Sequence, residues 1–394
     1  MFENFYRNRR VFVTGHTGFK GSWLSEWLLL LGARPVGYSL PPQTEPALFN
    51  QLGLEHRMDH QIGDIRNRQE LANAIRSTQP DVVFHLAAQP LVRRSYNEPV
   101  ETFETNLLGT IHVLDALRSL SKPCSAVIVT SDKCYENQEW PFGYRENDPM
   151  GGHDPYSSSK ACAELATQSF RQSFFTRQSS NPVAIATARA GNVVGGGDWA
   201  QDRIMPDCVR ALAQGKRIPV RNPDATRPWQ HVLESLSGYL QLGRLLFPGH
   251  TSPSEDLCTA YNFGPNVDSN RSVRSLVRKV CEYWPGEWED QSDPEAPHEA
   301  HFLSLSIDKA WHRLRWKPVW DFDTTVRETV RWYREIVESR PDAETAAEIT
   351  QNQIEAFCRQ AQCQNQQWTC GSLCSDRAGT GLLSHSGTAC QWGV

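Results

Sequence analysis

Thr14-Gly15-His16-Thr17-Gly18-Phe19-Lys20-Gly21 lies between a β-branched run, Arg10 to Thr14, and an apolar helical stripe of Trp23, Leu24, Trp27, Leu28 and Leu31. The spacing is G-x-x-G-x-x-G. Gly15 allows a tight turn, Gly18 lets the backbone approach a pyrophosphate, and Gly21 permits close packing of helix on strand. The helix N-terminus then offers N–H groups to an anion. A glycine-rich run alone is weak evidence. Between a first strand and a first helix it becomes strong. A P-loop is excluded, because no Gly-Lys-Ser/Thr follows. The turn, including Thr17, Phe19 and Lys20, is therefore expected to hold a dinucleotide.

Working outward, residues 11 to 195 alternate short apolar runs with helical patterns. Further strands are expected at Pro35–Ser39, Asp81–Leu86, Ala126–Thr130 and Val183–Ala188. Strands apolar throughout belong in a parallel sheet covered on both faces. Leu71 and Ile75 mark a second helix after the Asp64–Asn67 turn. Phe103, Leu107, Thr110, Ile111, Leu114 and Leu117 mark a long third one. Strand–helix alternation of this kind predicts a doubly wound α/β fold over residues 8–195. Beyond Gly195 the pattern loosens into helices near 205–214, 231–246, 272–284 and 323–338, with a Pro- and Arg-rich stretch over 217–228. This predicts a smaller substrate-side domain over 196–340, its elements interleaved with the first. Residues 341–394 are polar and rich in Gln, Ser, Thr and Gly, which predicts a flexible appendage.

An acidic residue for the adenosine ribose is expected after the second strand. The strand instead ends Tyr38-Ser39-Leu40-Pro41. Ser39 can make a weaker contact, and Arg34 is poorly placed for a 2′-phosphate, so NAD is favoured over NADP. Gly63-Asp64-Ile65 is placed to meet the adenine edge. Capping of the next helix is an equal reading of Asp64.

Composition narrows the class. A net charge of -5 over 394 residues gives no dominant basic field for nucleic acid or an anionic membrane. The longest apolar run, Trp27 to Leu31, is far short of the roughly 20 residues that span a bilayer. The polar, aromatic residues Met1 to Arg10 are not a signal peptide. A cytoplasmic protein with reduced thiols is expected. Five of the eleven cysteines (Cys358, Cys363, Cys370, Cys374 and Cys390) crowd the last stretch, but none forms a Cys-x-x-Cys pair. No metal site is expected.

The chemistry concentrates in Thr130-Ser131-Asp132-Lys133, at the end of an apolar run, and Tyr156-Ser157-Ser158-Ser159-Lys160, which opens a helical pattern. Tyr156 and Lys160, four apart, share a helix face. A nearby ammonium favours the phenolate and would let Tyr156 act as a base. The first set places a hydroxyl, a carboxyl group and an amine in consecutive positions. Together the two sets suit more than one proton transfer.

These motifs, with His85-Leu86-Ala87-Ala88-Gln89 and Asn106, resemble the extended short-chain dehydrogenase/reductases, which have a Rossmann sheet. The likeness covers roughly residues 8 to 338. Ala190 to Trp199, Thr226 to Val232 and Lys133 are similar to the branch that dehydrates CDP-glucose; branches acting on other nucleotide sugars carry Glu where Lys133 stands. The resemblance implies NAD and a redox-neutral 4,6-dehydration. The sugar C4 hydroxyl is oxidised, water is lost across C5 and C6, and hydride returns to C6. Tyr156 would take the C4 hydroxyl proton, Lys160 would support it, Ser131 would bond the C4 oxygen, and protonated Asp132 would serve the departing C6 hydroxyl. Lys133 would be either a neutral C5 base or a cation stabilising the enolate. Leu86, Ala87, Ala88, Asn106 and Thr130 join the cofactor set. Gln89, Asn192, Asp198, Trp199, Arg203, Arg221, Arg227 and His231 form the expected substrate set, while Arg210 and Arg217 are expected in solvent. A homo-oligomer, by analogy a dimer, is also implied. The rival readings are another nucleotide-sugar dehydratase or an epimerase on the same scaffold, and a silent dinucleotide-binding sensor.

Overall fold

The computed structural model describes residues 1–176, 183–250, 256–292 and 302–370. Seven strands form one sheet: β1 (Arg10–Thr14), β2 (Arg34–Ser39), β3 (Asp59–Ile62), β4 (Val82–His85), β5 (Cys124–Val129), β6 (Val183–Ala190) and β7 (Ala260–Phe263). Their order is β7-β6-β5-β4-β1-β2-β3, and every pairing is parallel. The order reverses between β1 and β4, which opens the crevice where such sheets bind ligands. Side chains alternate across the sheet. Val11, Val13 and Val127 enter one core, while Phe12, Ala126 and Ile128 enter the other.

The helices are α1 (Phe19–Leu30), α2 (Arg68–Thr78), α3 (Gly109–Leu117), α4 (Pro155–Phe174), α5 (Ile204–Ala213), α6 (Val232–Leu246), α7 (Val273–Tyr283), α8 (Phe322–Ser339) and α9 (Ala343–Cys363). Asn67 caps α2, accepting from the Glu70 N–H at 3.3 Å. Asp154 caps α4, accepting from the Ser157 N–H at 2.9 Å. A π-helical turn, Glu104–Leu108, precedes α3 and carries Asn106 inward. Among the described residues no helix is long and apolar enough to cross a membrane.

Two strands of the main sheet carry no apolar run that marks them in the sequence. β3 (Asp-His-Gln-Ile) is a polar edge strand with little buried surface, so it lacks an apolar run. β7 is only four residues long, yet it extends the main sheet beside β6. With it goes α6, which is buried along almost its whole length and packs on β5 and β6. The smaller unit gathers α5, α7 and α8 around Met205, Leu212, Ile218, Leu276, Val277 and Val326.

The appendage expected from residue 341 is corrected as far as residue 370. Helix α9 lies on α1 and α8, with Ile354, Phe357 and Ala361 fully buried. Trp368 stacks between Phe2 and Phe357, at 5.2 and 5.9 Å. The cause is α1 itself. It is buried continuously from Gly21 to Leu28, and a helix apolar all round must be covered on both sides. Within it Glu26 is fully buried, held bidentately by Arg57 at 2.7 Å and by the Gln351 amide of α9 at 2.7 Å. Residues 371–394, with Cys374 and Cys390, lie outside the described residues.

Candidate active site

The turns that follow β1, β4, β5 and β6 all open on one cleft of about 1340 Å³, which the smaller unit closes from the other side. The cleft is larger than the roughly 300–1,000 Å³ of a usual small-molecule pocket.

Each glycine of the turn is fixed by a different neighbour. Gly15 has φ +77°, and a Cβ there would lie 2.7 Å from the Ala87 nitrogen. A Cβ on Gly21 would lie 2.1 Å from the Gly15 carbonyl oxygen. Gly18 is different: a Cβ would approach only that carbonyl, at 3.4 Å, so its open face belongs to the cleft. Helix α1 starts at Gly18 with no side-chain cap, leaving first-turn N–H groups for an anion. These features fit a dinucleotide diphosphate. Thr17 and Ser39 meet hydroxyl to hydroxyl at 2.9 Å. Asp64 also lines the cleft but does not cap α2. It is bound by Arg66 through two guanidinium contacts, 2.6 and 2.8 Å, and the backbone N–H. Burial opposes the charge of Asp64, and the Arg66 hydrogen bonds hold its carboxyl below the usual range. Ile65, Leu86, Ala87, Ala88 and Thr130 line the same wall.

Ser131, Asp132, Lys133, Tyr156 and Lys160 also share the cleft. Ser131 Oγ donates to Asp132 Oδ1 at 2.9 Å and accepts from the Lys133 N–H at 3.2 Å. Lys133 Nζ lies 3.5 Å from Asp132 Oδ1, and its side chain is 30% exposed. Asp132 Oδ2 is buried without a hydrogen-bond partner. A Cβ on Gly191 would sit 2.6 Å from that oxygen, so a side chain there would displace the Asp132 carboxyl group. Lys160 Nζ donates to the Val129 carbonyl at 3.5 Å.

Proximity of Tyr156 and Lys160 does not by itself yield a phenolate. Burial pushes the Tyr156 phenol up to about 12, against the lowering effect of its hydrogen bond with Ser131. Burial also brings Lys160 down to about 8, although Glu164 one turn on favours its charge. Desolvation is the largest influence on each of the two groups. Glu164 is anchored below by Arg189 at 2.8 Å, Thr130 at 2.5 Å and Thr187 at 2.7 Å.

On the expected substrate side, Asn192, Asp198, Trp199, Arg203, Arg221 and Arg227 line the cleft. Asn192 Oδ1 is buried without a partner. Arg203 pairs with Asp198 at 2.8 Å, and Arg221 pairs with Asp202 and Asp207. Trp199 is held by Gln51 at 2.9 Å, while Trp229 is core. Three expectations are corrected. His231 is fully buried between Trp23 and Trp320, and its Nδ1 accepts from the Leu233 N–H at the start of α6. Asn106 stands behind the wall, bonding the Gln89 backbone at 2.8 and 3.1 Å and Ser159 at 2.9 Å. The Gln89 amide is itself occupied by Leu91 and Thr102. Arg210 is only partly solvated: its side chain is 36% exposed, yet it donates to the Trp199 and Ala200 carbonyls and lines the cleft. Arg93 and Arg94, also in the lining, were missed. Their signal was a paired Arg soon after β4.

Fold and site together define a dinucleotide-binding α/β protein in which Tyr156 and Lys160 share one cleft with Ser131, Asp132 and Lys133. The chain belongs to the GDP-mannose 4,6-dehydratase family, which it matches over residues 12–329. It is 47% identical to the CDP-glucose 4,6-dehydratase of Salmonella typhimurium over 335 residues, covering 84% of this chain and 92% of that one. It is 28% identical to a dTDP-glucose 4,6-dehydratase of Streptomyces antibioticus, covering 82% and 92%. Its fold is similar to that of the dTDP-glucose 4,6-dehydratase DesIV of Streptomyces venezuelae, with a TM-score of 0.70 and 23% identity over 83% and 97% of the two chains.

Proposed function

We infer that the protein converts CDP-glucose to CDP-4-keto-6-deoxyglucose, using NAD. The observation that carries this is the convergence of Ser131-Asp132-Lys133 with Tyr156 and Lys160 in one cleft. A 4-epimerase needs only the second pair. The likeness to the Salmonella enzyme supports CDP-glucose in particular.

NAD, when bound at the glycine turn, supplies the hydride acceptor and donor. The chain's own groups move the protons. Tyr156 takes the proton of the C4 hydroxyl, and Ser131, on the same wall of the cleft, holds the C4 oxygen. Tyr156 keeps its proton in the protein alone, so its basicity depends on charge that arrives with the ligands. Lys160, anchored to the Val129 carbonyl one helical turn from Tyr156, supports it from the same helix face. Asp132 presents its partnerless Oδ2 to the C6 hydroxyl and gives up a proton as water leaves. Lys133, in contact with Asp132 and partly exposed, serves the elimination either as the C5 base or as a charge beside the enolate. Arg203, Arg221 and Arg227 suit the substrate diphosphate, for which guanidinium is the natural partner.

Incubation with CDP-glucose, dTDP-glucose and GDP-mannose in parallel tests the reading. A 4-keto-6-deoxy product from CDP-glucose is expected, and its absence overturns the reading. Tyr156→Phe should abolish nicotinamide reduction on that substrate, and retained oxidation would exclude Tyr156 as the base. Buried thiols outside any disulfide, at Cys124, Cys134, Cys208 and Cys358, support a cytoplasmic location. Val100, on the Pro99–Phe103 helix, and Leu165 and Phe174, on the neighbouring α4, expose apolar surface, 70%, 53% and 40% accessible, which supports a dimer through that face. Light scattering in solution would show a single-chain mass if it does not pair.

A further inference from the structure

Tyr156, Lys160 and Glu164 fall on successive turns of α4. The first two line the cleft, whereas Glu164 is buried behind it. The two oxygens of Glu164 serve different strands. Oε1 accepts from the Thr130 hydroxyl at 2.5 Å, just past the end of β5. Oε2 accepts from the Thr187 hydroxyl at 2.7 Å and from the Arg189 guanidinium at 2.8 Å, both on β6. One carboxylate thus ties together the three segments that carry the proposed reacting groups. Helix α4 brings Tyr156 and Lys160, β5 runs into Ser131, Asp132 and Lys133, and β6 runs into Gly191 beside Asp132 Oδ2. The sheet itself does not call for this tie, because the backbone already pairs β5 with β6 along Cys124–Val129. Burying a charge opposes folding unless it is paired and fully bonded. What Glu164 adds is a fixed register of α4 against the strand ends. Its two holds are unequal. The β6 side is held twice, once by a charge. On the β5 side, Thr130 is the one partner of Glu164 among the described residues. Thr130 stands between Ser131 and Val129, whose carbonyl accepts from Lys160 Nζ at 3.5 Å. Loosening Thr130 would let both neighbours shift against α4, and a misplacement of about 1 Å can slow a reaction about 10²-fold.

Resting on the 4,6-dehydratase reading, we propose that Glu164 is a positioning residue for oxidation at C4. Through Thr130 it fixes the strand end that carries Ser131 against the helix face that carries Tyr156 and Lys160. Glu164 lies outside the cleft lining and acts on the reaction only through this hold.

Replacing Glu164 would also strand the Arg189 charge, so the test keeps Glu164 and changes its hydroxyl partners. Wild type, Thr130→Val, Thr130→Ser and Thr187→Val are compared. Valine keeps the shape of threonine and removes the hydroxyl. Single-turnover nicotinamide reduction on CDP-glucose reports C4 oxidation, calorimetry reports NAD affinity, and thermal unfolding reports stability. Thr130→Val should slow reduction by about 10–100-fold at saturating NAD and CDP-glucose, with NAD affinity within about threefold of wild type. Thr130→Ser, which restores the hydroxyl, should recover most of the rate. Thr187→Val should lower the melting temperature about as much as Thr130→Val and yet keep the wild-type rate, because Arg189 still holds that oxygen. Wild-type reduction by Thr130→Val overturns the proposal. Equal slowing in both valine variants overturns it too, because a general loss of packing would then account for the rate. So does a Thr130→Val rate that recovers as NAD is raised, which would make Thr130 a cofactor ligand alone, or a Thr130→Ser rate no better than that of Thr130→Val. Absence of reduction by the wild type on CDP-glucose would overturn the 4,6-dehydratase reading, and this proposal with it.

Discussion

Most of the single positions proposed for the chemistry lie in the cleft, and their types and spacing made them legible. The glycine turn, Ser131 to Lys133 and the Tyr156/Lys160 pair all reach one cleft. What spacing could not convey is which way a polar atom faces once it is buried. His231 and Asn106 carry suitable groups, yet both turn away, one to start α6 and the other to brace the wall. Nor could it show that Tyr156 and Lys160 are both dry enough for desolvation to govern their titration. Gly191 is a position of the opposite kind, with no reactive group and a strict steric role. Gly191→Ala would force a methyl to within 2.6 Å of Asp132 Oδ2. We expect turnover to fall about 100-fold, the scale of losing a positioned proton donor, with the melting temperature nearly unchanged. Unaltered turnover would show that Asp132 Oδ2 is not the working oxygen.

At the level of elements, apolar runs identified β1, β2, β4, β5 and β6, because strands covered on both faces are apolar throughout. β3 and β7 escaped, one by being a polar edge and the other by its brevity. Helix α4 shows how one element serves both chemistry and fold. Tyr156, Lys160 and Glu164 fall on successive turns, and Glu164 meets Arg189 in a buried pair, each about 1–2% exposed. Glu164→Gln leaves the Arg189 charge buried without its counter-ion. A loss of about 3–5 kcal/mol is expected in denaturant titration, and a loss under 1 kcal/mol would refute the pairing. Helix α9 makes a similar case at the opposite end of the chain. Its only sequence signal was indirect, namely that α1 has no polar face to give to water. Trp368→Ala should cost about 3–5 kcal/mol, because a fully buried ring stacked between Phe2 and Phe357 is removed. Stability within 1 kcal/mol of wild type would return this segment to the status of an appendage.

For the molecule as a whole, several buried groups set the response to acid. Burial holds His16, His85 and His231 down to about 3, so each stays neutral in the fold. The unfolded chain binds their protons below about 6.5. Stability is therefore lost as pH falls through that value, at up to about 1.4 kcal/mol per unit for each group. Glu234 works the other way. Burial raises it to about 8 against the Val319 and Trp320 N–H bonds, so its contribution is lost as pH rises from about 4.5 to 8. Three histidines outweigh one carboxyl group, so denaturant stability should fall between pH 6.5 and 5. A flat or rising profile would mean that these histidines titrate in the fold. Below about 4.5 the buried Glu164, whose carboxyl Arg189 holds low against burial, adds a second loss. The clasp of Phe2 with Trp368 bears on how the chain is made. Glu3 donates its N–H to the Cys370 carbonyl at 2.6 Å, and Trp27 of α1 meets Phe357 and Trp368 edge-on. Helix α1 precedes its covering layer by more than 300 residues of chain, so it is synthesised well before that layer. At roughly 5–20 residues per second it waits on the order of tens of seconds with Trp27 uncovered. The nascent protein therefore passes through a stage with its dinucleotide sheet largely assembled and one apolar flank open, where a trigger-type chaperone would be expected to bind.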